Sequence, residues 1–249
     1  MTWVLLRGLM REQRHWEDFP ARLAAAYPDE RILTPDFPGN GSRWQETSPT
    51  RISAMTDFLR EELKRENADQ QPVSVIAISL GGMVATDWIS RFPHEVRRLV
   101  LINTSLAGYH PFYRRLKPEN YPALLAELWQ RQPAQRERLL LSLTSQHHQQ
   151  NPAVLDRFSS YAQEYPVTRK NALRQLSAAI RFHAPRQTPA VPLLILAGAK
   201  DRLVDPGCSL SLAQHWKASC AVHPDAGHDL PLDDPDWIIR QIRQWASSP

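Results

Sequence analysis

The sequence predicts an α/β protein: a mostly parallel sheet of about six strands flanked by helices, with a helical segment inserted late in the chain. Three observations predict it. Short, continuous apolar runs recur between segments of helical periodicity, as expected of strands buried on both faces and joined by crossover helices. Several of these runs end in stretches rich in Gly, Pro, Asn or Ser, such as Pro35 to Ser42, which cannot continue a strand and read as loops. From about Gly108 to Arg186 no convincing strand occurs, although helical spacing continues.

The elements follow in order. Trp3 to Leu6 is the first strand, ending in Arg7-Gly8-Leu9-Met10. Trp16, Phe19, Leu23 and Tyr27 then recur at helical spacing. Arg31 to Thr34 is a second strand, running into the loop Pro35-Asp36-Phe37-Pro38-Gly39-Asn40-Gly41-Ser42. Ser53 to Arg65 is helical, with Ile52, Met55, Leu59 and Leu63 on one face. Val73 to Ile76 is a buried strand, and Met83 to Ile89 a helix ending near Phe92-Pro93. Leu99 to Ile102 is the fourth strand. Prolines then punctuate four helical stretches, roughly Tyr121–Gln130, Pro133–Ser145, Pro152–Gln163 and Thr168–His183. Val191 to Leu196 resumes the sheet, a helix follows near Ser209–Lys217, and Cys220 to Val222 is the last strand. The final helix, Pro235 to Trp245, turns Trp237, Ile238, Ile242 and Trp245 inward.

Composition narrows the class. The 249 residues allow a substantial core, and the formal charge of +4 is modest. The arginines are scattered rather than gathered in a basic block, so the pattern does not point to nucleic acid. Cys208 and Cys220 have neither CxxC nor metal-ligand spacing, which fits a reducing compartment and no metal. The N-terminus lacks a basic region and a cleavage site, and no apolar run approaches membrane-spanning length. A cytoplasmic location is expected.

The chemistry is expected around Ala77-Ile78-Ser79-Leu80-Gly81-Gly82. A serine between a buried strand and a helix, with small residues two before and two after it, has the form of a nucleophile elbow. The chain reverses so sharply there that only small side chains fit at 77 and 81, and the helix N-terminus is aimed at whatever binds. Asp201 follows the end of another buried strand, and His228 lies in the loop after the next. Strand carboxyl ends share one rim of an open parallel sheet, which places Ser79, Asp201 and His228 together.

The whole chain here resembles the α/β-hydrolases, and within them the esterase, lactonase and acyl-transfer branch that includes the pimeloyl-carrier methyl esterases. Arg7-Gly8-Leu9-Met10 stands where that family has a His-Gly oxyanion loop. Asp36 to Ser42 is similar to its Asp-x-Pro-Gly-x-Gly-x-Ser loop, Ser79-Leu80-Gly81-Gly82 to its elbow, Gly198 to Val204 to its acid loop, and Ala226-Gly227-His228 to its histidine loop. Three departures stand out: Arg7 for the usual histidine, Ala77 for the first elbow glycine, and a first strand that takes the place of the family's third. Arg7 is expected either to alter the oxyanion loop or to place a cation near an acidic substrate group.

The resemblance implies an α/β-hydrolase core over 1–107 and 188–249 and a helical cap over 108–187. It implies a serine hydrolase of esters or thioesters, free or carrier-linked, with no cofactor. Ser79 would be the nucleophile, His228 the base, and Asp201 the orienting acid, preferred over Asp205 because it lies closer to the strand end. The backbone N–H groups of Leu9 and Leu80 would form the oxyanion hole. Tyr109, Phe112, Tyr113 and Trp129 are expected to line an acyl pocket together with Phe158 and Tyr161, and specificity to lie in the cap. Arg114, Arg115 and Lys117 are read as solvated, with a phosphopantetheine or carrier surface as the alternative. Asp36 is read as loop-forming, Asp225 and Asp229 as caps of the His228 loop, and His147-His148 as a polar helix end. Two other readings remain open: a lyase using the same triad, with Arg7 and the cap arginines holding substrate carboxylates, and a binding protein on a hydrolase scaffold.

Overall fold

The computed structural model describes residues 1–130 and 132–247, with only the backbone described for 127–129. Six strands form one sheet: β1 (Thr2–Leu6), β2 (Arg31–Leu33), β3 (Val73–Ile78), β4 (Val96–Ile102), β5 (Leu193–Gly198) and β6 (Ser219–His223). Their order is β2-β1-β3-β4-β5-β6. As expected of a parallel sheet, every pairing among the described residues is parallel. Each connection is long enough for a crossover, and among the described residues no hairpin joins any pair.

Strand alternation builds two layers. Val4, Leu6, Val75, Ala77, Leu99, Leu101 and Ile195 face one side. There they meet α2 (Ile52–Arg65), α3 (Leu80–Arg91) and α9 (Gly207–Trp216). Trp3, Leu5, Ile76, Ile78, Val100, Ile102 and Leu196 face the other. There they meet α1 (Phe19–Ala26) and α11 (Pro235–Ala246). Burial on both faces is why these strands read as continuous apolar runs rather than alternating ones.

Between β4 and β5 the chain forms α4 (Phe112–Arg115), α5 (Tyr121–Trp129), α6 (Pro133–Thr144), α7 (Pro152–Glu164) and α8 (Arg169–Arg181). The two stems of this excursion meet where Ala184 N donates to Ala107 O at 3.1 Å. Asn151 caps α7 by accepting from Ala153 N and Val154 N, and Thr168 caps α8 by accepting from Asn171 N. A satellite core of Leu141, Val154, Phe158 and Leu232 joins these helices to α10 (Leu230–Asp233).

Candidate active site

The turn after β3 is sharp. Ser79 sits at φ 56° and ψ −117°, a left-handed conformation costly for a residue with a side chain. The surroundings hold it there. A Cβ on Gly81 would lie 2.3 Å from Leu6 O and 2.7 Å from Arg7 O, so α3 packs directly onto the end of β1. A Cβ on Gly82 would meet Thr104 Oγ1 at 2.1 Å. Ser79 N donates to Ile102 O at 3.1 Å. Leu80 is the first residue of α3, and its N–H has no preceding turn to bond. The Gly8 loop lies against the serine, since a Cβ on Gly8 would stand 3.2 Å from Ser79 Cβ and 3.7 Å from Ser79 Oγ.

His228 Nδ1 lies 2.7 Å from Asp201 Oδ2, both side chains being buried. Asp201 Oδ1 accepts from Leu203 N at 2.8 Å and Val204 N at 2.9 Å. A carboxylate only accepts, so the imidazole proton is on Nδ1 and Nε2 is left for another partner. Asp205 is engaged elsewhere, accepting from Arg114 Nε at 2.6 Å, and its carboxyl is held below the usual range chiefly by that bond.

Ser79 and His228 border one cavity of about 350 Å³, together with Gly8 and Leu9. Its walls are chiefly aliphatic: Leu116, Leu124, Leu125, Leu140, Leu143 and Leu176 from the inserted segment, and Ile78 and Leu203 from the strand ends. Two arginines, Arg7 and Arg11, and Asp229 also border it. Arg7 donates to Asp229 through both terminal nitrogens, at 3.0 and 2.7 Å, and lies over the Trp16 ring, 4.8 Å from its centroid. Burial alone would raise the Asp229 pKa, but the Arg7 charge and hydrogen bonds override it and hold it below the usual carboxylate range. Arg11 donates to Glu137 at 2.5 Å. Among the described residues no cluster of three or more His, Cys, Asp or Glu has the arrangement of a metal site.

Several sequence expectations are corrected. Tyr109 does not line the cavity; its hydroxyl donates to Pro185 O at 2.7 Å and accepts from Trp216 Nε1 at 2.9 Å. Phe112 and Tyr113 are exposed, at 71% and 52%, and also stand outside it. These three lie at the entry to the insertion, where the chain passes over α9, whereas the later helices turn leucine faces toward Ser79. The Trp129 side chain lies outside the described residues. Phe158 packs on His15, ring centroids 4.7 Å apart, and Tyr161 on the same ring at 5.6 Å, rather than on the cavity. Arg114, Arg115 and Lys117 are structural ties: to Asp205, to Ala179 O, and to Asp201 O respectively. Asp229 does not cap the histidine loop through its side chain, which is committed to Arg7; Asp225 lies 3.3 Å from His147 Nε2. Asp36 holds its own loop, accepting from Gln13 N at 2.8 Å and Ser42 N at 3.0 Å.

Two residues with no motif signal organise the site. Asn103, buried at the end of β4 with φ 45°, accepts from Gly198 N at 2.9 Å. It donates to Gly227 O at 3.1 Å and His228 O at 2.7 Å. Asp233 accepts from Ser145 Oγ, Gln146 N, His147 N and Gly227 N, and Asp229 N donates to Thr144 O at 2.6 Å. The turn after α6 thus grips the backbone on both sides of His228. Only an asparagine at a strand end, a common turn residue, marked the first; nothing in the sequence marked the second.

The model of the alpha/beta hydrolase family matches residues 3–241. The biotin biosynthesis bifunctional protein BioHC of Teredinibacter turnerae is 26% identical over 97% of this chain, which spans 44% of that protein. The pimeloyl-[acyl-carrier protein] methyl ester esterase of Neisseria meningitidis is 25% identical over 92% of this chain and 86% of its own length. Among solved structures, an esterase from Thermogutta terrifontis superposes with a TM-score of 0.78 over 99% of this chain and 89% of that one, at 18% identity.

Proposed function

Because the chain belongs to the alpha/beta hydrolase family and is carboxylesterase-like within it, we propose that it cleaves a carboxylic ester or thioester through an acyl-enzyme on Ser79. His228 Nε2 takes the serine proton as Oγ attacks the carbonyl carbon, then delivers it to the leaving group. Asp201 keeps the proton on Nδ1 and stabilises the imidazolium. The oxyanion is held by the N–H groups of Leu80 and Leu9, each such donor contributing about 3–4 kcal/mol in the transition state. Water then repeats the sequence and releases the acid. In this reading residues 108–187 act as a cap over a core of 1–107 and 188–249, and the cap leucines receive the acyl chain.

The observation that carries the reading is a shared cavity: the strained Ser79 borders the same space as His228, whose Nδ1 is 2.7 Å from a buried carboxylate. The named substrate of several relatives, a methyl ester of a pimeloyl chain on an acyl-carrier protein, is a specific form of this proposal. The lyase alternative needs Arg7 and the cap arginines to hold substrate carboxylates, and those groups are engaged by Asp229, Asp205 and Ala179 O. Ser79→Ala is expected to abolish both turnover of short p-nitrophenyl esters and covalent labelling by a fluorophosphonate. Full turnover by the variant overturns the reading.

A further inference from the structure

The arginines that border the cavity are both matched by carboxylates. Arg7 and Asp229 are paired through two hydrogen bonds with about 5% of either side chain exposed. Arg11 is paired with Glu137, likewise buried. The remaining walls are mostly aliphatic. A guanidinium cannot shed its charge, so without a carboxylate beside it Arg7 would present a bare cation to the space next to Ser79. Its Nε is buried and has no hydrogen-bond partner among the described residues, leaving donor capacity beyond the pair. Asp229 therefore does more than occupy the position after His228: it cancels the charge of the residue that precedes the Gly8 loop.

From this we infer that Asp229 determines specificity, restricting the acyl pocket to uncharged chains by neutralising Arg7. The inference rests on the Ser79 reading given above. An acyl chain ending in a carboxylate meets no unpaired cation, loses its water, and is repelled by the carboxylate of Asp229. An alkyl chain of the same length loses nothing. The selection acts on substrate binding, not on the attack itself, so it differs from a role in holding His228. Removing the negative charge leaves Arg7 as a receptor for anionic chains. Removing the positive charge leaves Asp229 to repel them more strongly. The two substitutions act in opposite directions on one ratio, which a merely structural role does not produce.

The test compares p-nitrophenyl hexanoate with the mono-p-nitrophenyl ester of adipate, whose acyl chain has the same length and ends in a carboxylate. The full chain is expected to favour the hexanoate in kcat/KM by at least about tenfold. Asp229→Asn is expected to shift that ratio toward the adipate ester by at least about tenfold, through KM, and Arg7→Gln to shift it further toward the hexanoate. The double variant Arg7→Met with Asp229→Leu replaces the pair by apolar groups, which buried pairs commonly tolerate, and is expected to keep the wild-type order. If either single variant fails to fold, the other and the double variant decide. Equal turnover of both esters by the wild type, or single variants that shift the ratio in the same direction, overturns the inference. Ser79→Ala in the same assay separates the two readings. If it stays active, the nucleophile assignment falls; if it is inactive while the ratios fail to move, only the specificity assignment falls.

Discussion

Asn103 Nδ2 donates to the carbonyl oxygen of His228 at 2.7 Å, so the end of β4 holds the histidine loop that follows β6. The same side chain accepts from Gly198 N, at the start of the segment leading to Asp201. One buried amide thereby ties the loop that carries His228 to the strand end that leads to Asp201.

Replacing Asn103 leaves two carbonyls and one N–H buried without partners, each costing about 1–3 kcal/mol. Asn103→Ala is expected to lower the melting temperature and to reduce kcat by roughly tenfold to a hundredfold through misplacement of His228. Asn103→Asp retains the acceptor for Gly198 N but loses both donors, and is expected to be no better. Thermal melts paired with ester kinetics check both outcomes, and a folded Asn103→Ala with wild-type kcat would refute the role.

Asp233 ties the turn after α6 to the loop that carries His228. Asp233→Asn places an amide where the carboxylate gathers N–H donors from Gln146, His147 and Gly227. The loss of charge-assisted bonds is expected to cost about 1.5–3 kcal/mol. In a variant that remains folded, kcat is expected to fall more than KM rises, because the bond lost at Gly227 N supports the loop that carries His228. Denaturant unfolding and steady-state kinetics measure the two effects separately.

At Gly81 the added methyl of Ala meets backbone, not a mobile side chain. Gly81→Ala is expected to force α3 away from β1 and to destabilise the fold by about 1–3 kcal/mol. Since α3 begins at Leu80, the rate of fluorophosphonate acylation is expected to fall with it. A variant as stable and as reactive as wild type would contradict the close approach of helix and strand.

Stability is expected to fall as pH drops below the ordinary histidine range. Burial pushes His110 down to about 4, with Arg114 and Arg115 opposing its protonation further. Burial, then the Arg11 and Arg7 charges, lower His15 as well. The unfolded chain takes up protons near pH 6.5, while folded His110 takes up its own only near pH 4. The folded state therefore loses ground throughout that window. His110→Gln is expected to flatten part of the slope, and His15→Gln another part. Chemical unfolding at several pH values tests this.

The sheet was legible in the sequence because strands buried on both faces leave continuous apolar runs, and the six runs lie within a few residues of the strands. That Ser79, Asp201 and His228 come to one edge was legible because each follows such a run, and parallel strands bring their ends together. The cavity lining was not. Aromatic content pointed to Tyr109, Phe112 and Tyr113, but which face of the inserted segment turns toward Ser79 depends on how that segment docks. Leu124 and Leu140 carry the helical periodicity of an ordinary packed helix, and nothing local distinguishes a face turned to a core from one turned to a cavity.

The parallel α/β architecture, the tight turn at Ser79 and the placing of Asp201 and His228 after later strands follow from local sterics and hydrophobic periodicity along the chain. What surrounds these residues follows from packing in space. Arg7 and Asp229 are 222 residues apart, as are no two groups that local pattern can relate. Whether Arg7 is a bare cation or half of a neutral pair is a matter of three-dimensional approach. The same holds for Asp233, which joins Gly227 in the histidine loop to Ser145, Gln146 and His147, 86 to 88 residues before it. Charge neutrality and loop anchoring are set by distances through space, and spacing along the chain does not encode them.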